Sequence, residues 1–158
     1  MSDVSRRDAL MIAGACACCA MSADLALAAD PPATTAPKTL PIGKATDFPD
    51  VGFYDKFAKQ KVLVARLDDR LVAMTNVCTH KGCALKIDPG IEPALKCPCH
   101  KAEFGAKGTP TAGQAKLALA RYALTQGPDG TITADLTKSF PEAKWNEAES
   151  FIAMKRPE

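Results

Sequence analysis

Cys78-Thr79-His80-Lys81-Gly82-Cys83 is followed, after thirteen residues, by Cys97-Pro98-Cys99-His100. These ten residues hold four of the chain's seven cysteines and both of its histidines. Each stretch offers a thiol and an imidazole at tight spacing, Cys78 with His80 and Cys97 with His100. Two thiolates and two imidazoles form a donor set for a transition metal, and tetrahedral zinc is one occupant that such a set admits. Zinc would leave Cys83 and Cys99 without a role. Paired thiols seldom stay free in an oxidising compartment. A bridge between these two would pin both stretches around a metal.

On either side the sequence reads as strands. The apolar run 61–67 meets Asp68-Asp69, a turn signal, and continues as Arg70-Leu71-Val72-Ala73-Met74, which predicts a hairpin. The run 117–124 reaches Gly127-Pro128-Asp129-Gly130 and then 131–136, a second hairpin whose glycines supply the positive φ such turns need. Leu40-Pro41-Ile42 is a further apolar run. Short strands at close spacing predict an all-β domain, a small antiparallel β-sandwich. Residues 137–158 predict a short C-terminal helix, with Ser139 as cap, Pro141 in the first turn and Trp145, Ala148 and Ile152 on one face. That helix would cover the sandwich edge.

The other three cysteines, Cys16, Cys18 and Cys19, lie in a different kind of segment. Ser5-Arg6-Arg7-Asp8 precedes a moderately apolar run, and Ala26-Leu27-Ala28 ends it on small residues. This pattern resembles a twin-arginine export signal over residues 1–28, cut after Ala28. Only about 15 residues separate Asp8 from Asp24, short of the roughly 20 that a spanning helix needs, which favours a cleaved signal over a retained anchor. Cys16 as a lipoprotein cysteine would lack a leucine three residues before it. Residues 29–39, rich in proline and threonine, predict a flexible tether. Twin-arginine export carries folded proteins, so it suits a chain loaded with its cofactor in the cytoplasm.

A chain of 158 residues with 47% apolar content leaves room for one compact domain and excludes a multidomain enzyme. A net charge of +2 argues against nucleic-acid binding, whose affinity is mostly electrostatic. No phosphate loop, nucleotide fingerprint or catalytic dyad is present, and Asp68-Asp69 reads as a turn.

C-T-H-K-G-C followed by C-P-C-H resembles the cluster-binding signature of Rieske iron–sulfur proteins, in the branch that carries a disulfide. The resemblance covers about residues 40–136 and implies the Rieske fold, a small antiparallel β-sandwich with an inserted cluster-binding subdomain, with one [2Fe–2S] cluster per chain. It implies Cys78 and Cys97 on one iron, His80 and His100 on the other, and a Cys83–Cys99 disulfide. The implied role is one-electron transfer with a redox partner protein, a cytochrome or a larger oxidoreductase subunit. The chain would serve as an exported redox subunit or soluble carrier, in the periplasm or on the outer face of the cytoplasmic membrane. Membrane association is expected only through a retained N-terminal segment. Two ferric ions, two sulfides and two thiolates sum to zero formal charge. Imidazoles in place of two further thiolates therefore raise the potential, to about −150 to +300 mV across such centres.

Two other readings compete. One is the Rieske subunit of a quinol–cytochrome c oxidoreductase; the other is a zinc- or disulfide-stabilised binding module without a redox role. The quinol-oxidising branch usually has serine two residues after the second histidine and tyrosine four after, whose hydroxyls donate to cluster sulfurs. Ala102 and Phe104 stand there, and Gly113-Gln114-Ala115-Lys116 replaces a glycine-proline-alanine-proline loop. These departures argue against quinol oxidation. Gly82 is expected to serve a tight loop and Pro98 to stiffen the second one. Lys81 and Lys101 adjoin the histidines, with Lys86 and Lys96 nearby; they read as solvated loop charge or, functionally, as a basic collar that steers an acidic partner.

Overall fold

The structure, a computed structural model, describes residues 38–88, 90 and 93–155. The expected export signal, and the expected tether up to residue 37, lie outside the described residues. Eleven strands follow in order: β1 (Thr39–Lys44), β2 (Gly52–Tyr54), β3 (Val62–Arg66), β4 (Arg70–Thr75), β5 (Lys86–Asp88), β6 (Ala94–Lys96), β7 (Glu103–Phe104), β8 (Pro110–Ala112), β9 (Arg121–Gln126), β10 (Thr131–Phe140) and β11 (Ile152–Ala153). The larger sheet runs β1-β10-β9-β4-β3-β2, with β11 also paired to β4, and the smaller runs β5-β6-β7-β8. Every pairing is antiparallel. The all-β expectation holds.

The β3–β4 hairpin separates two cores by simple alternation. Successive strand side chains point to opposite faces. Leu63 and Ala65 of β3, with Val72 and Met74 of β4, face the core that contains Cys78, Leu95, Cys97 and Phe104. Val62 and Val64, with Leu71 and Ala73, face Ile42, Leu124, Ile132 and Ala134. With both faces covered, all five residues of β3 are buried. One continuous apolar run thus supports two layers, as expected of a doubly covered strand.

Both predicted hairpins form. At Asp68-Asp69 the Leu67 N–H donates to Arg70 O at 2.8 Å, and Val62–Arg66 pairs in register with Leu71–Thr75. At the second turn Gly130 adopts φ 82°. The first strand of that hairpin, β9, begins only at Arg121; the Leu119 N–H donates instead to Gly108 O, in the turn between β7 and β8, at 2.9 Å. Leu117 is left 69% exposed.

Among the described residues the expected C-terminal helix does not form. β10 continues through Ser139, paired with Tyr122, to Phe140, so Ser139 is a strand residue and not a cap. Pro141 then starts a single 3-10 turn, Glu142–Lys144, and a second covers Ala148–Ser150. Tertiary contacts override the weak helical pattern. Trp145 is drawn into a small core with Ala123 and Phe140, while Ile152 pairs with Leu71 in β11. The Ser150 hydroxyl, fully buried, donates to Trp145 O at 2.6 Å and fixes the turn between them.

Leu95 is fully buried in the core shared by both sheets. Leu95→Ala is expected to lower unfolding free energy by about 2–5 kcal/mol, read by chemical denaturation.

Candidate metal centre

The smaller sheet carries two cysteine loops at its end, and their backbones are built alike. The Cys78 N–H donates to Cys83 O at 2.8 Å and Gly82 N–H donates back to Cys78 O at 2.9 Å. The Cys97 N–H donates to Ala102 O at 2.8 Å and Lys101 N–H donates back to Cys97 O at 3.0 Å. Both loops therefore close from the first cysteine to the fifth residue on, and back from the fourth. That fourth residue takes a left-handed backbone in each, Gly82 at φ 75° and Lys101 at φ 54°. Glycine does so freely. A lysine there costs roughly 1–2 kcal/mol. The expected role of Gly82 is borne out; Lys101 as its counterpart was missed, although counting four residues from each cysteine reveals it.

The loops offer four donors, two buried thiols and two half-buried imidazoles. Cys78 and Cys97 are both free thiols, each 2% exposed. The His80 and His100 rings meet edge-on, centroids 4.7 Å apart. Nδ1 of each is buried without a hydrogen-bond partner. Two orphaned imidazole nitrogens beside two buried thiols are costly unless something binds them. Cys83 and Cys99 form a disulfide across the loops, with Cα atoms 6.5 Å apart. Their sulfurs lie within 4.8 Å of Cys97 Sγ, but the S–S bond leaves them no thiolate to offer.

The backbone donors to the two sulfurs are placed alike, although the thiol pKa values shift in opposite directions. Burial pushes the Cys78 thiol above its usual range, against N–H donors of His80 and Lys81. Burial also acts on Cys97, but the N–H groups of His100 and Cys99 and the Cys78 side chain outweigh it and hold Cys97 below the usual value. In each loop the donors are the second and third residues after the cysteine. Such bonds stabilise negative charge on sulfur.

A third loop closes the side. Thr79 Oγ1 donates to Leu117 O at 2.7 Å. Gly113, at φ 83°, presses so close to the second cysteine loop that a Cβ would sit 2.6 Å from Ala102 Cα and 2.7 Å from Lys101 O. Ala102 and Phe104 are fully buried, in the same core as Cys78 and Cys97. Lys81, Lys86 and Lys101 are exposed. Lys96 is not a free charge, since it pairs with Asp88 at 2.6 Å and approaches Glu103 at 3.9 Å.

The Rieske [2Fe-2S] domain family matches residues 38–123, and the chain belongs to that family. The cytochrome b6-f complex iron-sulfur subunit of Chlorobaculum tepidum is 32% identical over 98 residues, 61% of this chain and 53% of that protein. Its counterpart in Chlorobaculum thiosulfatiphilum is 34% identical over 85 residues, 52% of this chain and 46% of that one. The chain spans about half the length of these curated relatives. A solved plasma-membrane Rieske protein from Synechocystis PCC 6803 shares 22% identity at a TM-score of 0.42, over 61% of this chain and 98% of that one. The family's cofactor is a [2Fe–2S] cluster, and two buried thiols with two unpartnered imidazoles fit it.

Gly113→Ala combines a disfavoured backbone with overlap against Ala102. It is expected to lower the unfolding midpoint and to speed loss of the cofactor's visible absorbance on incubation.

Proposed function

We propose that this chain is an exported one-electron carrier or redox subunit in which Cys78 and Cys97 ligate one iron and His80 and His100 the other. The observation that carries this is the pair of buried Nδ1 atoms without a partner, set beside two buried free thiols. A [2Fe–2S] cluster held there supplies one-electron redox chemistry at a raised potential. The chain's own residues do the rest. The N–H donors around Cys78 and Cys97 favour the more negative, reduced state. The Cys83–Cys99 bridge holds the two loops at fixed separation. Both imidazoles are half-buried, so with Nδ1 turned inward the rest of each ring meets solvent and a partner.

In this reading residues 1–28 are the twin-arginine signal, 29–39 a tether, 40–136 the cluster domain and 137–158 an extension. The site then works in the periplasm or on the outer membrane face. Lys81 and Lys101 flank the histidines and present positive charge to an acidic cytochrome or oxidoreductase subunit. Likeness to two cytochrome b6-f iron-sulfur subunits favours a second reading, service in a quinol-oxidising complex. Ala102 and Phe104, which bring no hydroxyl to the site, favour the first. Quinol turnover by the assembled complex separates them.

Protein matured in a host competent for cluster assembly is expected to contain iron and acid-labile sulfide at two each per chain, and to give a Rieske-type paramagnetic signal once reduced. Cys78→Ser, His80→Ala, Cys97→Ser and His100→Ala should each abolish that signal. Cys83→Ser should weaken cluster retention while leaving all ligands in place. Zinc without sulfide would defeat the assignment.

Ala102→Ser and Phe104→Tyr each bring a donor toward the sulfurs. A hydrogen bond favours the reduced state by a fraction of its roughly 1.5–3 kcal/mol strength. Since about 59 mV corresponds to tenfold in a one-electron equilibrium, each change should raise the potential by on the order of tens of millivolts. Protein-film voltammetry reads the shift; unmoved potentials would mean that these side chains do not reach the cluster.

Replacing both Lys81 and Lys101 by glutamate should slow electron exchange with the native partner at low ionic strength, with the difference fading as salt rises. Stopped-flow rates at two salt concentrations check it. Equal rates at low salt would show the lysines to be bystanders.

A further inference from the structure

Away from the cysteine loops, a cavity of about 650 Å³ is lined by Leu67, Arg70, Lys107, Arg121, Glu142 and Trp145, with Asp68 and Asp69 in its wall. Arg121 is only 2% exposed, and its guanidinium stacks on Trp145 at 4.0 Å. Its Nη2 donates to Lys107 O at 3.3 Å. Arg121 Nε and Trp145 Nε1 are both buried without an acceptor among the described residues. Among the described residues, no carboxylate pairs with Arg121. Asp69 instead holds Arg70 through Nε and Nη2, at 2.9 and 2.8 Å.

Burial draws the Arg121 pKa down to about 10, and the charge that adds to this is a second cation, Arg70. Arg121 therefore stays protonated at neutral pH. A buried cation without a counter-charge is costly in a folded protein unless a ligand supplies one. The stacked tryptophan fixes the plane of the guanidinium, which suits it to a carboxylate or phosphoryl group.

We propose that this cavity binds a small oxyanion, a carboxylate or phosphate group that pairs with Arg121 and is shared by Arg70 and Lys107. Trp145 and Leu67 supply an apolar wall for any hydrocarbon the ligand carries. Asp68 and Glu142, in the same wall, weigh against a polyanion. No residue assigned to the metal centre lines the cavity, so the site stands independently of the redox reading.

Isothermal titration of the cluster-loaded protein with acetate, succinate and inorganic phosphate, against chloride at matched ionic strength, tests this. Saturable binding of at least one anion is expected, with a matching rise in unfolding midpoint that chloride does not give. Response to the carboxylates alone identifies a carboxylate ligand, and response to phosphate alone a phosphoryl one. Arg121→Gln should weaken binding at least tenfold. If that variant does not fold, Lys107→Gln, at an exposed position, should weaken it severalfold, with retention of the cluster signal as the folding check. No saturable binding at millimolar anion, or equal affinity in the wild type and the folded variants, overturns the proposal.

Discussion

Backbone N–H groups aimed at two buried cysteine sulfurs are the constraint around which the rest of this structure is arranged. To point them there, each loop must close from its cysteine to the fifth residue on and reverse at the fourth, which needs a left-handed residue. Gly82 takes that conformation without strain and Lys101 takes it with some. The same turns set His80 and His100 edge to edge and turn both Nδ1 atoms away from water. Loop conformation, thiol environment and imidazole placement are one geometric solution.

That solution is inseparable from the fold. Cys78 and Cys97 belong to the core that β3 and β4 share with Leu95, Ala102 and Phe104. The larger sheet therefore acts as a rigid base under the cysteine loops. The disulfide holds them together from the outer side, where Cys99 is exposed and Cys83 half-buried. Gly113 locks the third loop against the second at a separation no side chain could share. A one-electron site gains from such rigidity, because little need move when its charge changes.

The candidate site was legible because its chemistry is carried by residue identity at fixed short spacing. Cys78 and Cys97 lie in one core, the His80 and His100 rings meet, and the Cys83–Cys99 bridge implied by family resemblance is present. The β3–β4 and β9–β10 hairpins were legible because Asp68-Asp69 and Gly127–Gly130 are strong turn signals. β5 to β8, of two or three residues each, are too short to show a period, and no reading of alternation finds them. The tail misled for the opposite reason. Its apolar spacing fits a helix locally, but Trp145 stacks on Arg121 and Ile152 pairs with β4, and those long-range contacts win. The lysine collar was read from proximity in sequence, which could not show Lys96 committed to Asp88.

The central claim is that the two buried Nδ1 atoms and the two free thiols together hold the iron. Pulsed paramagnetic resonance on reduced protein carrying histidine labelled with ¹⁵N at Nδ1 tests it most directly. The account predicts strong couplings to two inequivalent labelled nitrogens. Coupling to no labelled nitrogen, or to only one in the wild-type protein, would contradict it.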